Sequence, residues 1–552
     1  MKYGLFAKLI LINYVVSFLI IQPVSFVFAN PEGAQVVAGE ADFVEDGNTL
    51  NITTSDKVII DYDSFSIAGE ESVIFKQPFT ASLALNRVRG CSISEILGTL
   101  SANGRVMLIN QNGILFGPNS VVDTGGFIAS SLNISDSDFL NDKFNFSGIG
   151  GEIINNGRIT AREGGLIAFF APTVTNNGII ETQKGRVAIG AGTKVNVDFI
   201  GDGLITFNIE ESVIDSSIIN TGVISAKSGQ VELSVQDANN IVKGVINNSG
   251  LISANKLVNE GGVVRLIGSK NSTIINTGTI EASGKNDGIN GGDVTLCGGA
   301  VINNGSIIAN AISNANAGNV NLLADKEARL EDNSLIEVKG ELFEANGGNV
   351  LIDSGDSVYM SEVQVIDISG GKQGGHGGEG LVLAEGVTQA GGNVIGNAMA
   401  GYNRGRFEID PDTIISLDYT SSADNYWWAK DDVLIQANVT GTDGAGYWFL
   451  ADHKSADPDD WQNAGGGDVI LDAGKTVSTD TGNLTFMGER VTLNGKVATG
   501  GKVLLEGRKG ILLDNVNNEI ANLHAYNKTS GDIVIKNKTS LLFLIYSNCL
   551  LY

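Results

Sequence analysis

One feature constrains this chain more than any other: a short internal repeat. Its core is Asn, then Asn, Thr or Asn-Ser, then Gly, then an apolar pair flanking a small or polar residue. It occurs at Asn155-Asn156-Gly157, Asn176-Asn177-Gly178, Asn220-Thr221-Gly222, Asn247-Asn248-Ser249-Gly250, Asn276-Thr277-Gly278 and Asn303-Asn304-Gly305. The leading Asn residues are spaced 21, 44, 27, 29 and 27 apart. The interval of 44 reads as two periods of 22 with one degenerate copy. Each copy runs on through a Gly-rich corner into an alternating stretch such as Gln230-Val231-Glu232-Leu233-Ser234-Val235. A period of 20–30 residues signals a solenoid. Strands of about four residues cannot bury a face alone, so the units must stack and pair with the coils above and below. Alternation selects the inward side chains. Gly is expected to supply left-handed corners, and stacked Asn side chains to hydrogen-bond along the axis. The fixed Leu pattern of leucine-rich repeats is absent, and the expectation is an all-β parallel β-helix.

Composition agrees. Of 552 residues, 72 are Gly and 54 Asn, both poor in helix interiors, while only 7 are Pro. With 42 % hydrophobic residues the chain is no disordered polyanion. Roughly 470 solenoid residues at about 24 per coil give about 20 coils, a rod on the order of 95 Å long. The net charge of −26 argues against a nucleic-acid partner and predicts weak attraction to anionic membranes. The expectation is a monomeric rod.

Residues 1–29 read as a secretory signal: Lys2 and Lys8, an apolar stretch from Leu9 to Ile21, then Val27-Phe28-Ala29 before the cleavage point. The solenoid begins near residue 30, and continuing repeats occupy 271–400. Residues 370–380 form a Gly-rich corner. Residues 401–467 carry all four Trp (Trp427, Trp428, Trp448, Trp461) and the acidic run Asp457-Pro458-Asp459-Asp460. They read as an aromatic-rich insertion or divergent coils, serving as a plug or stacking sugars. Repeats resume over 468–540. The apolar segment 541–552 is expected to break the repeat without a cap, as a truncation or frame change would produce.

Catalytic signals fail on context. Asp123-Thr124-Gly125 and Asp480-Thr481-Gly482 would lie on distant coils. Gly375, Gly377 and Gly380 match a dinucleotide fingerprint only because they lie in a Gly run without strand–helix context. His376, His453 and His524 accompany no nucleophile signature and no metal spacing, and Cys91, Cys297 and Cys549 read as buried or incidental thiols. No cofactor or metal is expected. The enzymatic rival is a polysaccharide-active β-helix using a carboxylate pair, Asp61 with Asp63, Asp136 with Asp138, or Asp410 with Asp412.

Residues 86–148 hold Asn86-Arg87-Val88, Ile96-Leu97-Gly98-Thr99-Leu100, Leu108-Ile109-Asn110-Gln111-Asn112-Gly113-Ile114-Leu115-Phe116-Gly117-Pro118, Gly125-Gly126-Phe127-Ile128-Ala129-Ser130-Ser131 and Phe144-Asn145-Phe146-Ser147-Gly148. Upstream lie Ile60-Asp61-Tyr62-Asp63 and Val73-Ile74-Phe75-Lys76-Gln77-Pro78. This block resembles the filamentous-haemagglutinin-type N-terminal secretion domain of two-partner secretion exoproteins of Gram-negative bacteria, over about residues 30–270. The resemblance implies a right-handed parallel β-helix with N-terminal capping strands, recognised in the periplasm by the POTRA domains of an outer-membrane β-barrel transporter. It implies a secreted or surface-exposed product. The family's Asn-Pro-Asn-Gly motif falls on Asn110, Gln111, Asn112 and Gly113, with Gln111 replacing the Pro that fixes φ. Tyr62 stands where the family often has Trp. Residues 110–113 are either a recognition signal or a coil corner. The resulting expectation is an adhesin- or haemagglutinin-like exoprotein of unspecified receptor or glycan, no enzyme. The alternatives are a polysaccharide-active enzyme and the stem of a truncated haemolysin or toxin.

Overall fold

The computed structural model describes residues 30–198, 206–211, 216–235, 244–258, 261–451, 466–538 and 540–547. The signal segment 1–29, His453, the run Asp457–Asp460, Trp461 and Cys549 lie outside them.

Three strands make each coil, and each stacks in parallel on its counterpart in the next coil. Face A starts at Ser94–Ile96 and passes through Ile114–Phe116, Ile153–Asn155 and Thr173–Asn176. Face B includes Thr99–Ala102, Val121–Thr124 and Arg158–Ala161. Face C runs from Val58–Tyr62 through Leu83–Val88, Arg105–Ile109 and Gly126–Ser130 to Leu542–Ser547. The chain is therefore a parallel β-helix whose inward residues form one continuous core from Leu50 to Ala525. Its first turn is closed by antiparallel strands: Gln35–Ala38 pairs with Val58–Tyr62, and Ala41–Asp46 with Thr49–Thr54.

The repeat explains the corner between faces A and B. Asn155, Asn176, Asn220, Asn248, Asn276 and Asn303 are fully buried. Each of the first five donates its side-chain N–H to the Oδ1 of the next, at 2.7–2.8 Å, and Asn303 donates to Ser334 Oγ at 2.7 Å. The ladder takes Asn248 rather than Asn247, because Asn248 is the one in register with Asn276. The Gly of the repeat has a different cause from the expected one. Left-handed φ is not what it supplies, since Gly178 and Gly222 are not among the positive-φ residues. A Cβ on Gly178 would stand 2.1 Å from the Gly157 carbonyl oxygen, and one on Gly222 2.1 Å from that of Gly178. Close approach of successive corners excludes any side chain.

The interval of 44 is also not a degenerate coil. Thr173–Asn176 pairs directly with Ser217–Asn220. The extra residues leave the solenoid to form an antiparallel side sheet, in which Lys194–Asp198 pairs with Phe144–Ser147 and with Thr206–Glu211. This sheet and the short helix Asp136–Leu140 cover the outside of face C. Ile59, Leu85, Met107, Ile109, Ile128 and Phe170 point outward and are buried in a second apolar cluster with Phe139, Phe144, Phe146 and Val195. A strand buried on both sides such as Leu166–Ala171 reads as a continuous apolar run, whereas Gln230–Val235 alternates.

Within 401–451 the chain keeps stacking: Asp424–Ala429 pairs with Arg406–Ser421 and Tyr447–Ala451 with Asp424–Ala429. Leu542–Ser547 does not break the repeat as expected, since it adds a parallel rung to Glu519–Asn527. Cys91 is exposed and Cys297 half-buried.

Candidate secretion-signal site

Residues 110–113 form the turn that leaves face C for face A. Asn110 ends the run Arg105–Ile109, and its backbone N–H donates to Ser130 O of the next coil at 3.0 Å. Gly113 N–H closes the turn on Asn110 O at 3.0 Å, so the turn forms with Gln111 where Pro was expected. Gly113 has φ of +117°, and a Cβ there would lie 2.8 Å from Glu152 O. That position does require glycine.

Both Asn amides are consumed by the fold. Asn110 is fully buried and donates to Ser92 O (2.9 Å) and Ser94 Oγ (3.0 Å). Its Oδ1 accepts from both the backbone and side-chain N–H groups of Asn112, each at 2.9 Å. Asn112 also donates to Gly90 O at 2.8 Å. The two side chains thus lash the turn to the segment 90–94 of the preceding coil. Gln111 differs: it is exposed.

A neighbouring ionic anchor escapes any reading of the sequence alone. Arg87 is buried and donates to Asp61 Oδ1 (2.8 Å), Asp136 Oδ1 (2.7 Å) and Ile134 O (3.3 Å). Asp61 also accepts from Arg89 at 2.7 Å. This group ties two rungs of face C to the covering helix. The only sequence signal is the i, i+2 placement of Arg87 and Arg89 opposite Asp61, readable once the register is known. Tyr62 plugs the core edge-on to Phe65, with ring centroids 5.2 Å apart, and donates to Asn86 Oδ1 at 3.2 Å. Burial raises its hydroxyl pKa far above the ordinary tyrosine value.

Three members of the carboxylate pairs are held in ion pairs. Asp61 and Asp136 are spent on Arg87. Asp138 sits in the first turn of the short helix, where its backbone N–H donates to Ser135 Oγ. Asp412 pairs with Lys430 at 3.0 Å. The Asp410 carboxyl is pushed up to about 6 by burial and then by Glu408. Asp123 accepts from Thr160 Oγ1. Asp480, on a distant coil, is lowered mainly by the backbone N–H of Thr481. His376 accepts from Asn403 N–H at 3.0 Å within the Gly-rich corner.

A family model for the TPS (two-partner secretion) secretion domain matches residues 28–282, the coils that hold the 110–113 turn and the Arg87 anchor. Residues 28–282 are a TPS secretion domain. Two curated relatives, both named heme/hemopexin-binding protein and both from Haemophilus influenzae, are 31 % identical over 252 residues (43 % of this chain) and 26 % identical over 236 (38 %). This chain spans only 27 % and 25 % of their lengths. Among solved structures, the HMW1 secretion domain from Haemophilus influenzae aligns with a TM-score of 0.57 and 26 % identity, over 72 % of this chain and 99 % of that one. The TPS domain marks a two-partner exoprotein, secreted or held at the surface of a Gram-negative bacterium after passage through the periplasm.

Proposed function

We propose that this exoprotein is an adhesin- or haemagglutinin-like binding rod and not an enzyme. A β-barrel transporter exports it, engaging the TPS domain through periplasmic POTRA domains. The observation that carries this reading is the join between the TPS domain and the coils beyond it. Faces A, B and C pass beyond residue 282 with each strand paired to the next coil. A capped, double-layered N-terminal segment is thus suited to start a stack that each emerging coil extends, and short-range stacking keeps its contact order low. In this reading the rest of the chain divides into continuing coils over 271–400, aromatic-rich coils over 401–467, coils over 468–540 and an apolar last segment over 541–552. The rod is monomeric.

The corner 110–113 serves export through folding, and Gln111 is the one member of the motif free to touch a partner. The test is co-expression with the candidate barrel. Asn110→Ala with Asn112→Ala removes buried hydrogen bonds worth about 2–4 kcal/mol together. Extracellular protein and the far-UV CD of the purified periplasmic domain should fall together. Gln111→Ala should keep the CD signal while lowering secretion. If the double variant folds normally yet is not exported, the Asn pair is itself the recognition signal and the corner role is wrong.

A further inference from the structure

The aromatic-rich coils carry a site on the outside of face C. One outward column passes through Glu408, Tyr426, Trp448, Thr485, Leu504 and His524, a single residue per rung. Tyr426 and Trp448 are stacked, 4.5 Å between centroids and 6° between planes. The Arg406 guanidinium lies over the Tyr426 ring at 4.3 Å. One face of the Trp448 indole is therefore committed to the stack. Its six-membered ring lies across Gly446, where a Cβ would stand 2.9 Å from Trp448 Cη2. A glycine at 446 is what lets the indole lie flat on the coil.

One rung further on, the column steps down from Trp448 to the small Thr485. The step opens a cavity of about 580 Å³ bordered by Trp448, Asn483, Thr485, Lys502, Glu506 and His524. That volume falls within the range of about 300–1,000 Å³ usual for small-molecule sites. Asn483 Oδ1 accepts from Lys502 N–H at 3.0 Å, which fixes the amide with its N–H donors directed elsewhere. Lys502 has no acidic partner among the described residues.

We propose that this cavity is a carbohydrate site in which a pyranose ring stacks on Trp448. An aromatic face carries negative quadrupolar charge and attracts the slightly positive C–H face of a sugar, while water is displaced from both. The ring hydroxyls then meet a wall of planar and charged groups, Asn483, Lys502 and His524, that donate hydrogen bonds. Asn483 and Lys502 are exposed, so their donors can exchange water for sugar hydroxyls. This deepens the proposed role as a surface-binding rod and rests on it.

The full secreted chain is to be applied to an array of immobilised pyranose oligosaccharides, neutral and acidic, beside Trp448→Ala and Thr485→Trp. The second variant fills the cavity and leaves the indole in place. The wild type should bind a subset of the array, and each variant should lose at least about tenfold in apparent affinity with unchanged far-UV CD. If Trp448→Ala misfolds, Thr485→Trp carries the test alone. A folded wild type that binds no member overturns the site, as does Thr485→Trp binding as tightly as the wild type. Attachment to cells separates the two levels: a Thr485→Trp chain that still adheres sinks the cavity but not the adhesin reading, whereas an exported wild type that adheres to nothing sinks that reading.

Discussion

Two stretches of the same solenoid fill their interior in different ways. Between residues 153 and 308 the inward side chains are aliphatic apart from Phe169, and one corner of every coil is held by the Asn ladder. Between 406 and 488 a chain of rings instead lines the inside of face C. Tyr419 meets Trp427 edge-on at 5.2 Å, Trp427 meets Phe449 at 5.2 Å, and Phe449 stacks on Phe486 at 5.0 Å. An amide ladder demands one residue type at one position, because each link is a directional bond of fixed length. Rings accept offset-stacked and edge-on contacts over about 4.5–7 Å, so they tolerate slips in register. The strands that lead into the aromatic stretch do slip, at Ala384/Val387 and Ala390/Gly392. The ladder stretch slips too, at Gly298/Ala300, and both stretches keep the same three faces.

The sharpest way to break this comparison is to remove the central ring. Trp427 is fully buried. Trp427→Ala should cost about 3–5 kcal/mol, and the loss should be local, because coils in a solenoid contact only their neighbours. Hydrogen exchange should therefore quicken across Arg406–Ser421, Asp424–Ala429 and Tyr447–Ala451 while the strands before residue 303 stay protected. A cost under about 1 kcal/mol would mean that the rings fill space without holding the stack.

The matching cut in the ladder is smaller. Asn220→Ala deletes the link accepted from Asn176 and the link donated to Asn248. It leaves a buried donor and a buried acceptor unpaired, at about 2–3 kcal/mol in all. Asn303, whose far partner is the Ser334 hydroxyl, sits at the end of the ladder and should cost less when replaced by Ala. Equal losses at both positions, read from denaturant unfolding followed by exchange at the two sites, would show that the ladder does not act as a connected chain.

The same contrast explains how much can be read from sequence. The ladder coils announce themselves, since one Asn and one Gly recur wherever directional bonding and close approach admit nothing else. Parallel β-helix architecture follows from that period, and the block from Asn86 to Gly148 carries the family resemblance. The excursion between Asn176 and Ser217 misleads because its length happens to equal two short periods. Its signal is present in Ile167-Ala168-Phe169-Phe170, an apolar run with no polar alternate, which marks a strand covered on both sides. The ring coils hide for the opposite reason: Trp427, Phe449 and Phe486 share one rung position, but neither the residue type nor the spacing along the chain recurs. The candidate turn at 110–113 is legible as a motif. Its bonds to Gly90, Ser92 and Ser94 are not, because they join residues about 20 apart through a register that only the folded coils define. The Arg87–Asp61–Asp136 group is hidden for the same reason.

The smallest expected effect tests the electrostatic strain on the coil that meets the rings, of the kind that burial also places on Glu232 among the ladder coils. Asp410 lies on the rung before the rings, and burial followed by the adjacent Glu408 pushes its carboxyl up to about 6. An unfolded Asp titrates near 3.9, so the folded state holds the proton more tightly. Below about pH 4 both states are protonated and the stability is greatest. As the pH rises towards 6 the folded state must ionise a half-buried group beside a second carboxylate, and stability falls; above that it is level. The full shift would correspond to about 3 kcal/mol, but the carboxyl keeps enough contact with water to reduce this to about 1 kcal/mol. Asp410→Asn should therefore melt at the same temperature as the wild type near pH 4 and higher than it at pH 7 and above. Parallel pH profiles for the two proteins would show that the charge at 410 is fully solvated, and that the rings impose no electrostatic cost on the rung they stack against.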